Sequence, residues 1–204
     1  MIEIMKHVTR SLPTLRQCNF VLTILVVLMG VYITVSPFIP NLEYFVHHPV
    51  VIPYSGKLAS YYDGKTVGRT AVPSDNRLVI PDLNINEKVL EGKTIDVIHN
   101  NGVWRRPGTS NDPEKSNMVI VGHRFSYFSP YGTFYHLDKL KVGSKLGLYW
   151  GKKEHVYEVK IIEVVPPETV KVEAATSKPR LTLYTCAPLL TAKDRLVITA
   201  EEIK

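Results

Sequence analysis

The chain has 204 residues, of which 22% are charged and 45% apolar, and its net charge is +6. These values suit a globular protein and exclude wholesale disorder. The positive balance favours anionic polymers or lipid surfaces. No nucleic-acid motif and no basic and aromatic interleaving accompanies it, so nucleic acid is not an expected partner.

Phe20 to Val35 reads FVLTILVVLMGVYITV, within an uncharged stretch from Gln17 to Asn41. At about 1.5 Å per residue this stretch crosses a hydrocarbon core of about 30 Å. Lys6, Arg10 and Arg16 precede it against one acid, Glu3, whereas Glu43 follows with no Lys or Arg close by. The positive-inside bias then predicts a cytoplasmic tail over 1–19, a single transmembrane anchor over 20–39, and the bulk of the chain outside the cell. A cleaved signal peptide fits less well, because the candidate site Thr34-Val35-Ser36 runs straight into Pro37.

Residues 40–73 hold Pro49, Pro53, Gly56, Gly64, Gly68 and Pro73 without a sustained period, and read as a membrane-proximal stalk. His47 and His48 fall here and are expected to be solvated. Residues 74–204 are left as one folded domain, long enough to bury a core without disulfides or a structural metal. Arg77-Leu-Val-Ile-Pro81, Asn117-Met-Val-Ile-Val121 and Lys145-Leu-Gly-Leu-Tyr-Trp150 are short apolar or alternating runs closed by turn residues. His155 to Ile162, Arg180 to Thr185 and Arg195 to Ala200 alternate in the same way and are rich in strand formers. Many short strands with turn signals predict an all-β sandwich or barrel. Thr133 to Leu140 is the one helical candidate, with Phe134, Leu137 and Leu140 on one face.

Only two cysteines occur, Cys18 at the inner edge of the anchor and Cys186 beyond it, so they cannot pair within one chain. An unpaired cysteine in an oxidising compartment is a candidate reactive thiol, with a buried inert thiol as the alternative. His123, Cys186 and Arg195 each sit at a predicted strand end, where a rigid scaffold presents side chains to a cleft. A thiol and an imidazole that meet in space can form a nucleophilic site. No HExxH, CxxC pair or EF-hand loop is present, so no cofactor or metal is expected.

Leu181-Thr-Leu-Tyr-Thr-Cys186 resembles the TLxTC signature of the sortases. Asp194-Arg-Leu-Val-Ile198 is similar to the arginine-bearing strand that follows it, and Asn117-Met-Val-Ile-Val-Gly-His-Arg124 to the family's histidine segment. Gly102-Val-Trp-Arg-Arg-Pro-Gly-Thr109 resembles the loop before that segment. The GHR form and Cys186-Ala-Pro188 look most like the class D and class E groups. The resemblance implies a closed eight-stranded β-barrel with short helices, mostly β, preceded by the one transmembrane helix. It implies Cys186, His123 and Arg195 as catalytic residues. It also implies surface proteins bearing an LPxTG-like signal as substrates, cut between Thr and Gly and joined to an amine of peptidoglycan or a pilin.

The segment Glu163 to Pro179 corresponds to the loop that helps sortases recognise the signal. Val165, Pro167 and Val170 are expected to form its apolar wall, with Thr185 beside Cys186 completing the groove. Some sortases use calcium; Glu168, Glu173, Asp138 and Asp112 could line such a site, although nothing in their spacing demands it. Two other functions remain open at this point. One is a hydrolytic cysteine peptidase on the same residues, and the other is a non-enzymatic, membrane-tethered domain that binds a wall polymer.

Overall fold

The computed structural model describes residues 14–36, 51–62, 66–98, 102–125, 132–189 and 191–203. The chain divides into two units, residues 1–47 and residues 48–204. In the first, α1 (Leu15–Val35) is a continuous helix with no buried residue. It is long and apolar enough to cross a membrane. Pro37, with His47 and His48, lies outside the described residues.

The second unit is a closed barrel of eight strands. In chain order these are β3 (Arg77–Ile80), β4 (Ile85–Leu90), β5 (Val103–Arg105), β6 (Asn117–Val121), β7 (Lys145–Trp150), β8 (Lys153–Val165), β9 (Arg180–Ala187) and β10 (Asp194–Glu202). Around the barrel they run β10-β8-β7-β3-β4-β5-β6-β9, mostly antiparallel, with parallel pairs at β4–β5 and β6–β9. Closure removes open sheet edges around the barrel and leaves a core of alternating inward residues. On β9, Leu181, Leu183, Thr185 and Ala187 are buried, while Tyr184 and Cys186 between them are only partly so. That period of two aims Cys186 away from the core.

The expected helix over Thr133 to Leu140 is instead a series of turns ending in a short 3-10 element at Leu137–Lys139. Its three apolar residues, Phe134, Leu137 and Leu140, are nonetheless all buried. They cap the core without needing a continuous helix.

The expected stalk differs more. Residues 51–70 contain β1 (Val51–Tyr54) and β2 (Thr66–Thr70), paired in parallel as a separate two-stranded sheet, and a four-residue helix α2 (Lys57–Ser60). Ile52 and Leu58 are fully buried in one cluster with Val79, Tyr149 and Val156 of the barrel. Glu154 on β8 accepts the backbone N–H of Lys57 at 2.6 Å and of Leu58 at 3.1 Å, and the Tyr149 hydroxyl at 3.0 Å. Gly56 permits this approach, since a Cβ there would lie 2.3 Å from the Glu154 carboxylate. Tyr62 and Ser144 both donate to Asp82, at 3.1 and 2.6 Å, adding a second fastening. Of the residues that suggested a tether, Gly56 caps α2 while Pro53 and Gly68 lie within β1 and β2, in a flap docked on the barrel.

Candidate active site

Three neighbouring strands bring the candidate side chains together. In the antiparallel β9–β10 ladder, Cys186 stands directly opposite Arg195. On the other side of β9, the parallel β6 ladder pairs Val121 with Tyr184. The contact continues past the end of β6, where the Thr185 hydroxyl donates to the Gly122 carbonyl at 2.8 Å. That register carries His123 toward Cys186 on the same outward face. Cys186 thus sits between a histidine on one flank and an arginine on the other, and all three line one cleft of about 560 Å³.

The chain after His123 is held from behind. Phe134 N–H donates to the His123 carbonyl at 3.0 Å, and Gly132 N–H to the Arg124 carbonyl at 3.3 Å. The Arg124 guanidinium in turn pairs with Asp138 at 3.1 Å. Gly132 approaches so closely that a Cβ would lie 2.1 Å from the His123 carbonyl oxygen. The His123 ring is half-buried, and that burial lowers its basicity, with the nearby Asp96 carboxylate opposing in part. Arg195 Nη1 donates to the carbonyls of Ala192 and Asp194, at 3.0 and 2.9 Å. Further donors remain on Nε and Nη2 of its guanidinium. Among the described residues, neither the Cys186 thiol nor the His123 ring has a hydrogen-bonding partner.

Residues 78–203 match the family model described as Sortase domain. The chain belongs to the sortase family. No curated protein matches it. Among solved structures it is similar to sortase C1 of GBS pilus island 1, at 23% identity and TM-score 0.58, over 63% of this chain and 64% of that one, just under two thirds. It is also similar to the Clostridium perfringens sortase D5 transpeptidase, at 25% identity and TM-score 0.56, over 64% and 79% of the two chains. A third is Clostridium perfringens sortase C with the C-terminal cell wall sorting motif, at 28% identity and TM-score 0.57, over 63% and 69%. The eight-stranded closed barrel is the fold these sortases share with this one.

The four groove residues read from this sortase's sequence divide between two places. Val165, Pro167 and Val170 line a depression beside the cleft, beneath the connection from β8 to β9. Pro167 also lines the cleft itself. Val170 is 75% exposed, so its apolar side chain is open to contact from solvent. Thr185 lines the cleft but is only 1% exposed, and its hydroxyl is engaged by Gly122. It braces the histidine strand against the cysteine strand. The four acids considered for calcium are dispersed: Glu173 bonds Arg106, Asp138 bonds Arg124, and Asp112 pairs with Lys115. Among the described residues no group of three or more metal-ligating side chains occurs.

Several cleft residues carried no signal in the sequence. Tyr184 fills the variable position of the TLxTC signature, so the motif gives it no role. Its hydroxyl donates to Glu173 Oε1 at 2.7 Å, and burial together with that carboxylate pushes its own pKa up. Trp104, Arg106 and Lys93 also line the cleft, and the Arg106 guanidinium lies over the Trp104 ring at 5.4 Å. Trp104 and Arg106 stood inside a segment quoted only for its likeness to a family loop.

Proposed function

We propose that this sortase is a membrane-anchored, class D or E-like cysteine transpeptidase with Cys186, His123 and Arg195 as its catalytic residues. Its substrates are surface proteins carrying an LPxTG-like sorting signal, and its acceptor is an amine of peptidoglycan or a pilin. The observation that carries this reading is the placement of Cys186 between His123 and Arg195 across three adjacent strand ends.

The Cys186 thiolate attacks the carbonyl carbon of the signal's threonine. The tetrahedral oxyanion develops beside the permanent charge of Arg195. His123 protonates the glycine nitrogen as the C–N bond breaks, leaving a thioester on Cys186. An incoming amine then attacks the thioester carbonyl, His123 takes up its proton, and the thiolate departs. With an ordinary value of about 6.5, a histidine is roughly 10% imidazolium at pH 7.5. Burial of His123 lowers the imidazolium share further. The protonated ring that the departing amine needs is therefore a minority state unless substrate binding raises it.

Val165, Pro167 and Val170 form the apolar wall for the signal's Leu and Pro. Residues 1–19 stay in the cytoplasm and residues 20–39 hold the enzyme in the membrane, supported by the apolar helix and the basic residues before it. The catalytic domain works outside the cell.

The test is incubation of the full chain, in detergent micelles, with sorting-signal peptides and amines, read by mass spectrometry. An adduct on Cys186 that is released by an added amine as a new amide is the expected result. Release only as free acid, whatever the amine, would reduce the function to hydrolysis. No adduct with any signal would sink the reading.

A further inference from the structure

Two depressions meet at the site: the cleft that holds Cys186 and the one under the β8–β9 connection that holds the apolar wall. They share five lining residues: Arg106, Pro167, Glu173, Tyr184 and Arg195. An extended peptide that reaches from the wall to the thiol must pass over these residues. Within them Arg106 and Glu173 form a couple. Arg106 Nε donates to both Glu173 oxygens at 3.1 Å, and the Tyr184 hydroxyl fixes Oε1. The Trp104 ring backs the guanidinium.

The balance of charge there is uneven. Lys93, Arg106 and Arg195 line the cleft, and Glu173 is its one carboxylate among the described residues. Glu168 lines the neighbouring depression, and Asp96 faces His123. Removing Glu173 leaves Arg106 uncompensated in the path of the peptide. Removing Arg106 leaves Glu173 there instead.

We propose that the Arg106–Glu173 couple is a specificity-determining element that presents a self-neutralised surface to the variable residue of the sorting signal. The inference rests on the transpeptidase reading above and deepens it. With the couple intact, an acidic or a basic side chain before the scissile threonine gains little. Breaking the couple on either side turns the groove selective for charge, with opposite sign for the two halves.

The experiment measures kcat/KM of the full chain in micelles for signal peptides with Asp, Gln or Lys at the variable position. Glu173→Gln is expected to raise the Asp-to-Lys preference about tenfold at low salt, and Arg106→Met to lower it by a similar factor, both shrinking at high salt. Arg106→Met also covers the case in which Glu173→Gln does not fold. Variants that lose activity equally for all three peptides show the couple to be a structural brace, and overturn this inference alone. A wild-type chain that acylates on no signal overturns the functional reading and this inference together.

Discussion

Two regions of the barrel use polar groups in opposite ways. At the docked flap, Glu154 accepts the backbone N–H groups of Lys57 and Leu58 and Asp82 accepts the Tyr62 hydroxyl, tying residues 51–62 to the barrel, while Tyr149 and Ser144 engage the same two carboxylates from the barrel side. At the rim, the Cys186 thiol and the His123 ring have no hydrogen-bonding partner among the described residues, although the backbone behind each is firmly held. A fully engaged carboxylate contributes stability, because stripping a partner leaves buried donors without an acceptor. An unengaged thiol and imidazole add little to stability and remain available to a substrate. The contrast separates residues that hold the fold from residues proposed to do chemistry, within one sheet.

Cys186→Ala should break the comparison most visibly. It is expected to abolish the acyl adduct and amide transfer entirely, while thermal unfolding, followed by circular dichroism, stays within a few degrees of wild type. Next comes Gly132→Ala, which drives a Cβ into the His123 carbonyl and displaces the ring. Misplacement by about an ångström can cost 100-fold, so steady-state kinetics should show kcat reduced by ten- to about 100-fold while thiol alkylation of Cys186 continues. Glu154→Ala acts on the other region: losing the two backbone bonds of α2 and leaving the Tyr149 hydroxyl unpaired should cost about 2–4 kcal/mol in urea unfolding. Its Cys186 should still be alkylated below the unfolding midpoint.

The smallest expected effect is on the pH dependence of stability. Burial lowers the His123 pKa from its ordinary value near 6.5, so the unfolded chain takes up this proton at higher pH than the folded one. The neutral ring's contribution is complete above about 6.5 and is lost as pH falls through the folded value. Between pH 7.5 and 5 the wild-type melting temperature should therefore fall faster than that of His123→Gln. Parallel curves would mean that the ring titrates as it does in water.

Strand identity was legible wherever alternation ran for five residues or more. Asn117–Val121 matches the sequence reading, and the Lys145–Trp150 strand does too. β8 starts at Lys153, two residues ahead of the alternating run, and ends at Val165, where Val164 and Val165 carry that run up to Pro166. β4 was missed because Asn86, Glu87 and Lys88 interrupt its apolar period, and β5 because three residues are too few to show one. The flap was hidden for another reason. Its apolar residues pack against Tyr149 and Val156, nearly a hundred positions away, and local patterning carries no trace of such contacts. The same limit applies to the site. Spacing placed His123, Cys186 and Arg195 at strand ends, but only the motif resemblance joined them. The parallel β6–β9 pairing that brings His123 alongside Cys186 has no local signature. The Arg106–Glu173 couple joins residues 67 positions apart and was equally out of reach.

The thiol of the site meets Arg195 across the local β9–β10 pairing, but it meets His123 only through β6–β9, where Val121 pairs with Tyr184 from 63 positions away. Pairings of such long sequence separation form late, since loop-closure entropy must be overcome before they return any energy. A nascent or partly unfolded chain therefore carries its thiol with no histidine alongside. Under the proposed function, completion of folding itself acts as the safety catch, and a truncated or misassembled barrel would be a bystander.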